Sequence, residues 1–127
     1  MKTLLLIGSG SFIGGVLRYL LSQFIQIKAD SSFPIGTLGV NIIGCFFIGL
    51  IVGYIDKENV GIEWRFLLVT GLLGGFTTFS AFSMESINLL REGQIGFALS
   101  YVALSIILGL LATFVAFSIF GNKSGII

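Results

Sequence analysis

The sequence predicts an all-α integral membrane protein with four spanning helices, and three observations carry that prediction. Of its 127 residues, 55% are hydrophobic and only 10% are charged, whereas soluble domains carry about 25% charged residues. A chain this poor in charge cannot cover a water-facing surface. Its mean hydropathy is +1.06, and its few charges divide it into four uncharged or nearly uncharged stretches, each reaching the about 20 residues a helix needs to cross a hydrocarbon core. The stretches are continuously apolar and lack in/out alternation, so helices are expected rather than barrel strands. The length suits one membrane domain over residues 1–127, with spans near 3–27, 34–55, 65–90 and 95–120.

The first span is uncharged from Thr3 to Leu17, is interrupted by Arg18, and resumes through Ile27. It is not expected to be a cleaved signal peptide. Only Lys2 precedes it, it is long, and Arg18 falls where an apolar core should end. The connection Lys28 to Pro34 holds Asp30, two serines and the single proline, which should open the second helix near its first turn. The second span, Ile35 to Ile55, contains Asn41, with Thr37 four residues earlier on the same helix face. An amide in hydrocarbon brings two N–H donors and one acceptor, and needs partners. It can glue two helices together or donate to an anion in transit. Asp56 to Glu63 is the most charged connection.

The third span runs from Phe66 past Glu85 to Leu90. Gly74 and Gly75 followed by Thr77 and Thr78 make a poor helix interior, because Gly costs about 1 kcal/mol against Ala; a break is expected near Gly74–Thr77. Carbonyls freed at membrane depth are tolerated only where protein or an ion satisfies them, and unwound carbonyls hold Na⁺ in some discontinuous membrane helices. With no carboxylate at this point, a hard monovalent cation suits it better than a transition metal. Phe76, Phe79 and Phe82 recur every third residue along one face, and Ser80 and Ser83 along an adjacent one, with Thr77 above them. Ring edges carry partial positive charge and hydroxyls donate, so the two stripes suit an anion. A plain lipid-facing stripe has the same spacing.

A mid-membrane charge costs at least about 2.5–3.5 kcal/mol and marks a functional candidate. Arg18 and Glu85 are the two candidates, and both fall toward the same membrane side. A structural ion pair between them is expected; the alternatives are an Arg18 that snorkels to water and a Glu85 that binds protons. The fourth span, Gly93 to Asn122, carries Ser100, Tyr101, Ser105, Thr113 and Ser118. Ser105, Gly109 and Thr113 share a face, as a polar track or as hydroxyls bonded back to i−4 carbonyls.

Four spans place both termini on one side, giving it Lys2, Lys57, Arg65 and Lys123. The other side has Lys28 and Arg91, with Arg18 near it. This bias is too flat to fix orientation under the positive-inside rule, and dual topology is expected. Four short helices are also too thin to enclose a solvated path alone. Glycine pairs such as Gly10/Gly14, Gly49/Gly53 and Gly71/Gly75 have the spacing of helix–helix interfaces in lipid, so an oligomer is expected. Histidine is absent, cysteine occurs once and the net charge is +1. With no metal cage, no nucleophile–base pair and no phosphate-cradling loop, neither an enzyme nor a nucleic-acid partner is expected.

Three motifs together carry a family resemblance. They are Gly14-Gly15-Val16-Leu17-Arg18-Tyr19, Pro34-Ile35-Gly36-Thr37-Leu38-Gly39-Val40-Asn41-Ile42-Ile43-Gly44, and Gly74-Gly75-Phe76-Thr77-Thr78-Phe79-Ser80-Ala81-Phe82-Ser83-Met84-Glu85. In order and spacing they resemble the CrcB/Fluc fluoride channels over essentially the whole chain. The resemblance implies passive export of fluoride across a prokaryotic cell membrane, which lowers cytoplasmic fluoride. It implies an antiparallel dual-topology dimer, formed with a second copy or a paralogous subunit. It also implies a structural, untransported Na⁺ at the dimer centre, held by backbone carbonyls that map to Gly74 and Thr77. The anion pathway would map to Asn41, Phe79 and Phe82, with hydroxyls from Ser80, Ser83, Thr37 and Tyr101. Arg18 maps to a vestibule arginine and Glu85 to the glutamate closing the third motif. Ala81 departs from the family pattern, which often has Thr there, so one hydroxyl is missing. The alternative is a small proton-coupled four-helix multidrug exporter, which would want an acidic residue in the first helix, where this chain has Arg18.

Overall fold

The computed structural model describes residues 1–120 as an all-helical chain with four segments long and apolar enough to cross a membrane: Lys2–Ala29, Ile35–Glu58, Ile62–Arg91 and Ile95–Phe120. Lys123, one of the charges weighed for orientation, lies outside the described residues. Helix α1 is Lys2–Ala29 and α2 is Ile35–Glu58. Asp30 ends α1 in the left-handed region, with its amide on the carbonyl of Gln26, and Pro34 precedes the first turn of α2 as expected. α2 extends through Asp56, Lys57 and Glu58 before Asn59 ends it, also at positive φ, so the charged connection is shorter than the sequence suggested.

The third segment is divided. Its first part, α3, comprises Ile62–Trp64, a π-helical stretch Arg65–Leu73, and Gly74–Phe76. Thr77 and Thr78 are extended, at φ/ψ −88/153 and −145/121. The second part, α4, is Phe79–Arg91, and α5 is Ile95–Phe120. Gly93, at φ 78, turns the chain between α4 and α5, a conformation open to glycine without steric cost.

Close approach of small residues holds these helices together, because lipid provides no hydrophobic drive for helices to associate. A Cβ on Gly14 would collide with the carbonyl of Leu72, one on Gly71 would lie 2.9 Å from that of Ile7, and one on Gly75 2.5 Å from that of Ser11. α1 and α3 are therefore nearly in backbone contact. Gly49 meets the backbone of Thr113 in the same way, and Thr113 Oγ1 donates to the carbonyl of Cys45 at 2.8 Å, joining α5 to α2. The glycine pairs, expected to serve assembly, are thus occupied by contacts within this chain. A small buried cluster of Leu38, Leu89, Ala98 and Tyr101 ties α2, α4 and α5 together, with Phe33, Ile42 and Phe82 packed on it. Many outward residues, such as Leu4, Phe12, Leu110 and Ile119, are exposed, as a lipid-facing surface requires.

Two ion pairs mark one end of the bundle, Lys2–Glu63 and Arg65–Asp56, both at 2.6 Å and largely exposed. They put the start of α1, the end of α2 and the start of α3 on the same side. At the other end Gln26 secures the α1–α2 connection. Its Nε2 donates to the carbonyls of Ser31 (2.7 Å) and Phe33 (3.1 Å), and its Oε1 accepts the amide of Gly36 (3.0 Å).

Candidate functional site: the helix break and its cleft

The break forms where a side chain competes with the helix for backbone partners. In a continuous helix the amide of Thr78 would donate to the carbonyl of Gly74, four residues back. Here it donates to Asn41 Oδ1 at 2.9 Å, while Asn41 Nδ2 donates to the Thr78 carbonyl at 3.0 Å. The Thr78 N–H fixes the orientation of the amide, since only its oxygen can accept. The amide of Ala81, which would donate to the carbonyl of Thr77, instead caps α4 through Thr78 Oγ1 at 3.2 Å. Gly74 and Thr77 thus both lose their helical donors. The intervening Gly75 carbonyl takes Arg18 Nε at 3.3 Å.

The break lies at Thr77–Thr78, just beyond the glycines expected to cause it. Gly74 and Gly75 remain helical; Gly75 is needed for contact with Ser11, not for unwinding. Thr77 stays attached to α3 by its amide (3.0 Å) and hydroxyl (2.9 Å), both on the carbonyl of Leu73.

A cleft of about 320 Å³ opens beside the break. Asn41 and Cys45 of α2, Thr77 and Thr78, Phe79 and Phe82 of α4, and Ser105 of α5 line it. Asn41 reaches it with one N–H uncommitted, since Nδ2 carries two and one goes to Thr78. The rings of Phe79 and Phe82 have centroids 5.5 Å apart, and Phe79 is 78% exposed. The Ser105 hydroxyl is buried and has no protein partner. No formal charge lines the cleft, and among the described residues no group of His, Cys, Asp or Glu is placed to hold a metal.

Next to this cleft lies a second polar cluster. Glu85 accepts Thr37 Oγ1–H on Oε1 and Tyr101 O–H on Oε2, each at 2.7 Å, so each carboxyl oxygen has one hydroxyl partner. The Tyr101 ring lies 5.2 Å from that of Phe82 and connects the cluster to the cleft. The expected Arg18–Glu85 ion pair does not form. α1 packs on α2 and α3, whereas α4, after the break, packs on α5 and α2, so Glu85 faces Thr37 and Tyr101 and Arg18 faces Gly75.

The structure brings Asn41, Phe79 and Phe82 to one cleft and gathers Thr37, Tyr101 and Glu85 into the adjoining cluster. Ser80 sits exposed, 3.3 Å from Thr78 Oγ1, and Ser83 is exposed on α4. The phenylalanine stripe does not survive as one row: Phe76, before the break, joins Leu17 and Phe24 in a separate apolar groove. Among the α5 hydroxyls, Tyr101 donates to Glu85, Ser105 is unpartnered in the cleft, Thr113 bonds across to α2, and Ser118 bonds back to Phe114. Sequence reasoning missed the roles of Cys45 and of Thr78 as cap and clamp point. For Thr78 a signal existed, since a threonine three residues before the next helical amides is a common N-cap.

Comparison with known proteins gives consistent results. The model of a family described as CrcB-like protein, Camphor Resistance (CrcB), matches residues 5–117. A Flavobacterium psychrophilum protein called fluoride-specific ion channel FluC is 49% identical over 89% of this chain and 92% of its own. Proteins of the same name from Agrobacterium fabrum and Aquifex aeolicus are 41% and 46% identical, covering 96% and 92% of this chain and 98% and 95% of theirs.

Proposed function

This chain belongs to the CrcB family, and from that membership we propose that it is a fluoride channel, a multi-pass protein of the cell membrane that lets fluoride leave passively. It is not an enzyme. The observation that carries the reading is the cleft at the helix break, where an amide N–H, an unpartnered hydroxyl and two phenylalanine rings converge without a formal charge. A small anion gives up hydration only if other dipoles replace it. Asn41, Ser105 and the ring edges of Phe79 and Phe82 provide such dipoles while leaving no fixed cation to trap the ion. The membrane potential drives one elementary charge with about 2.3 kcal/mol per 100 mV, so no coupled reaction is needed. A proton-coupled exporter would want an acidic residue within the first helix, where this chain has Arg18.

The pathway is completed by a second, antiparallel subunit, identical or paralogous. What supports this is the incompleteness of one subunit: Phe79 is 78% exposed beside the cleft, and Gly74, Ser80 and Ser83 are exposed on the same segment. The carbonyls of Gly74 and Thr77, relieved of helical donors, are suited to a structural Na⁺ at the subunit junction; backbone oxygens are hard ligands that need no carboxylate. When bound, that ion would tie the two breaks together.

Efflux from liposomes tests the reading. Phe79→Ile or Phe82→Ile should reduce fluoride efflux at least about tenfold, with the assembly intact by size-exclusion chromatography; a tenfold loss corresponds to about 1.4 kcal/mol of lost barrier stabilisation. Unchanged efflux in both variants counts against the pathway. Replacing Na⁺ by a large organic cation during purification should lower efflux if the cation is structural.

A further inference from the structure

We propose that Asn41 is the positioning residue that keeps the third helix broken, so that the anion cleft and the carbonyls beside it form one mechanical unit. The inference rests on reading the Gly74 and Thr77 carbonyls as a cation site. It adds that the protein, not the ion, holds that site open.

The geometry supports this directly. Asn41 engages both backbone groups of Thr78, at 2.9 and 3.0 Å, in the manner of a neighbouring strand. Without it, the Thr78 amide has one ready partner, the carbonyl of Gly74, and taking it would add a helical turn across the break. That turn would occupy an oxygen the cation needs. It would also rotate Phe79 and Phe82, which follow within one turn, away from the cleft. Arg18 works from the opposite side, holding the Gly75 carbonyl at 3.3 Å, but it engages one group where Asn41 engages two. Gly44, one turn beyond Asn41 on α2, fits the same arrangement: a Cβ there would collide with Thr77 Cγ2, so α2 lies directly against the extended residues.

Two variants separate positioning from anion binding. Asn41→Asp keeps an oxygen for the Thr78 amide, and when protonated it can also donate to the Thr78 carbonyl. It brings no N–H for an anion. Asn41→Ala keeps neither bond. Both are compared with wild type as full chains in nanodiscs, in Na⁺ and in N-methylglucamine, by hydrogen exchange over the peptide containing Thr78, by thermal stability, and by efflux after reconstitution. In wild type, protection at Thr78 should be the same in both cations, because a side chain holds it. Na⁺ should raise the melting temperature. Asn41→Ala should change exchange at Thr78 by about tenfold or more, the scale of one lost or exchanged hydrogen bond, and should lose the Na⁺ increment. Asn41→Asp should retain wild-type exchange and the Na⁺ increment while losing efflux.

The proposal is overturned if Asn41→Ala keeps both the exchange pattern and the Na⁺ increment, or if wild-type protection at Thr78 collapses without Na⁺. If Asn41→Ala does not assemble, Asn41→Asp decides alone: loss of the Na⁺ increment together with efflux overturns the positioning role. A wild type with no Na⁺ increment refutes the cation reading, and exchange at Thr78 in the variants then still decides the role of Asn41.

Discussion

At the scale of single residues, polar groups in this chain work by completing backbone accounts that the fold leaves open. Asn41 answers the amide and carbonyl of Thr78, Arg18 the carbonyl of Gly75, and Gln26 three backbone groups around Ser31, Phe33 and Gly36. Gln26 lies outside every motif, and a lone glutamine near the end of an apolar span gives no signal in sequence, since its partners are defined only once the chain turns back. Gln26→Ala should destabilise the protein by about 1–3 kcal/mol through unpaired backbone groups, read as a lowered midpoint of unfolding in detergent, with little change in single-channel conductance. Glu85→Gln should keep acceptance from one of Thr37 and Tyr101 and oblige the other hydroxyl to turn and accept the new amide N–H. We expect efflux to fall, and Tyr101→Phe to lower it less, because that variant removes one hydroxyl and leaves the Glu85 carboxyl and its bond to Thr37 in place.

At the scale of elements, the third segment shows why glycine and break do not coincide. Gly71 and Gly75 repeat every fourth residue because α3 must lie in backbone contact with α1, and the unwinding follows where Asn41 and the Thr78 hydroxyl take the next amides. The break was legible near the right place from the Gly74-Gly75 and Thr77-Thr78 pairs, but its cause was not, because it depends on a residue on α2. Gly14 and Gly15 offer a clean comparison. A methyl at Gly14 meets the Leu72 carbonyl, whereas nothing lies within 4 Å of one at Gly15. Gly14→Ala should cost about 1–3 kcal/mol by overpacking, and Gly15→Ala should be neutral or slightly stabilising. Equal thermal stability of the two variants would contradict the packing of α1 on α3.

At the scale of the whole molecule, charge and shape set the terms of assembly. The ion pairs Lys2–Glu63 and Arg65–Asp56 hold neighbouring segments together at one end of the bundle, while the positive-inside bias, which counts Lys and Arg alone, stays weak. The glycine pairs are used within this chain, so the proposed antiparallel pair would draw on the exposed side of the break around Phe79. Chains given extra lysines at one end should insert in one orientation. We expect each such variant to be inactive alone and the two opposite variants to conduct when co-expressed; activity of a singly oriented variant would rule out the antiparallel pair.

Composition and charge spacing were enough to predict four apolar spans, because hydropathy is a local property that each residue carries into any fold; the family likeness came instead from the order and spacing of three motifs. The contacts of Arg18 and Glu85, the separation of Phe76 from Phe79 and Phe82, and the source of the helix break were not available in that way. Each depends on which helix lies beside which, and a two-residue extended segment sends α3 to α1 and α4 to α5. A pairing between distant residues leaves no trace in the local pattern until the chain has been packed.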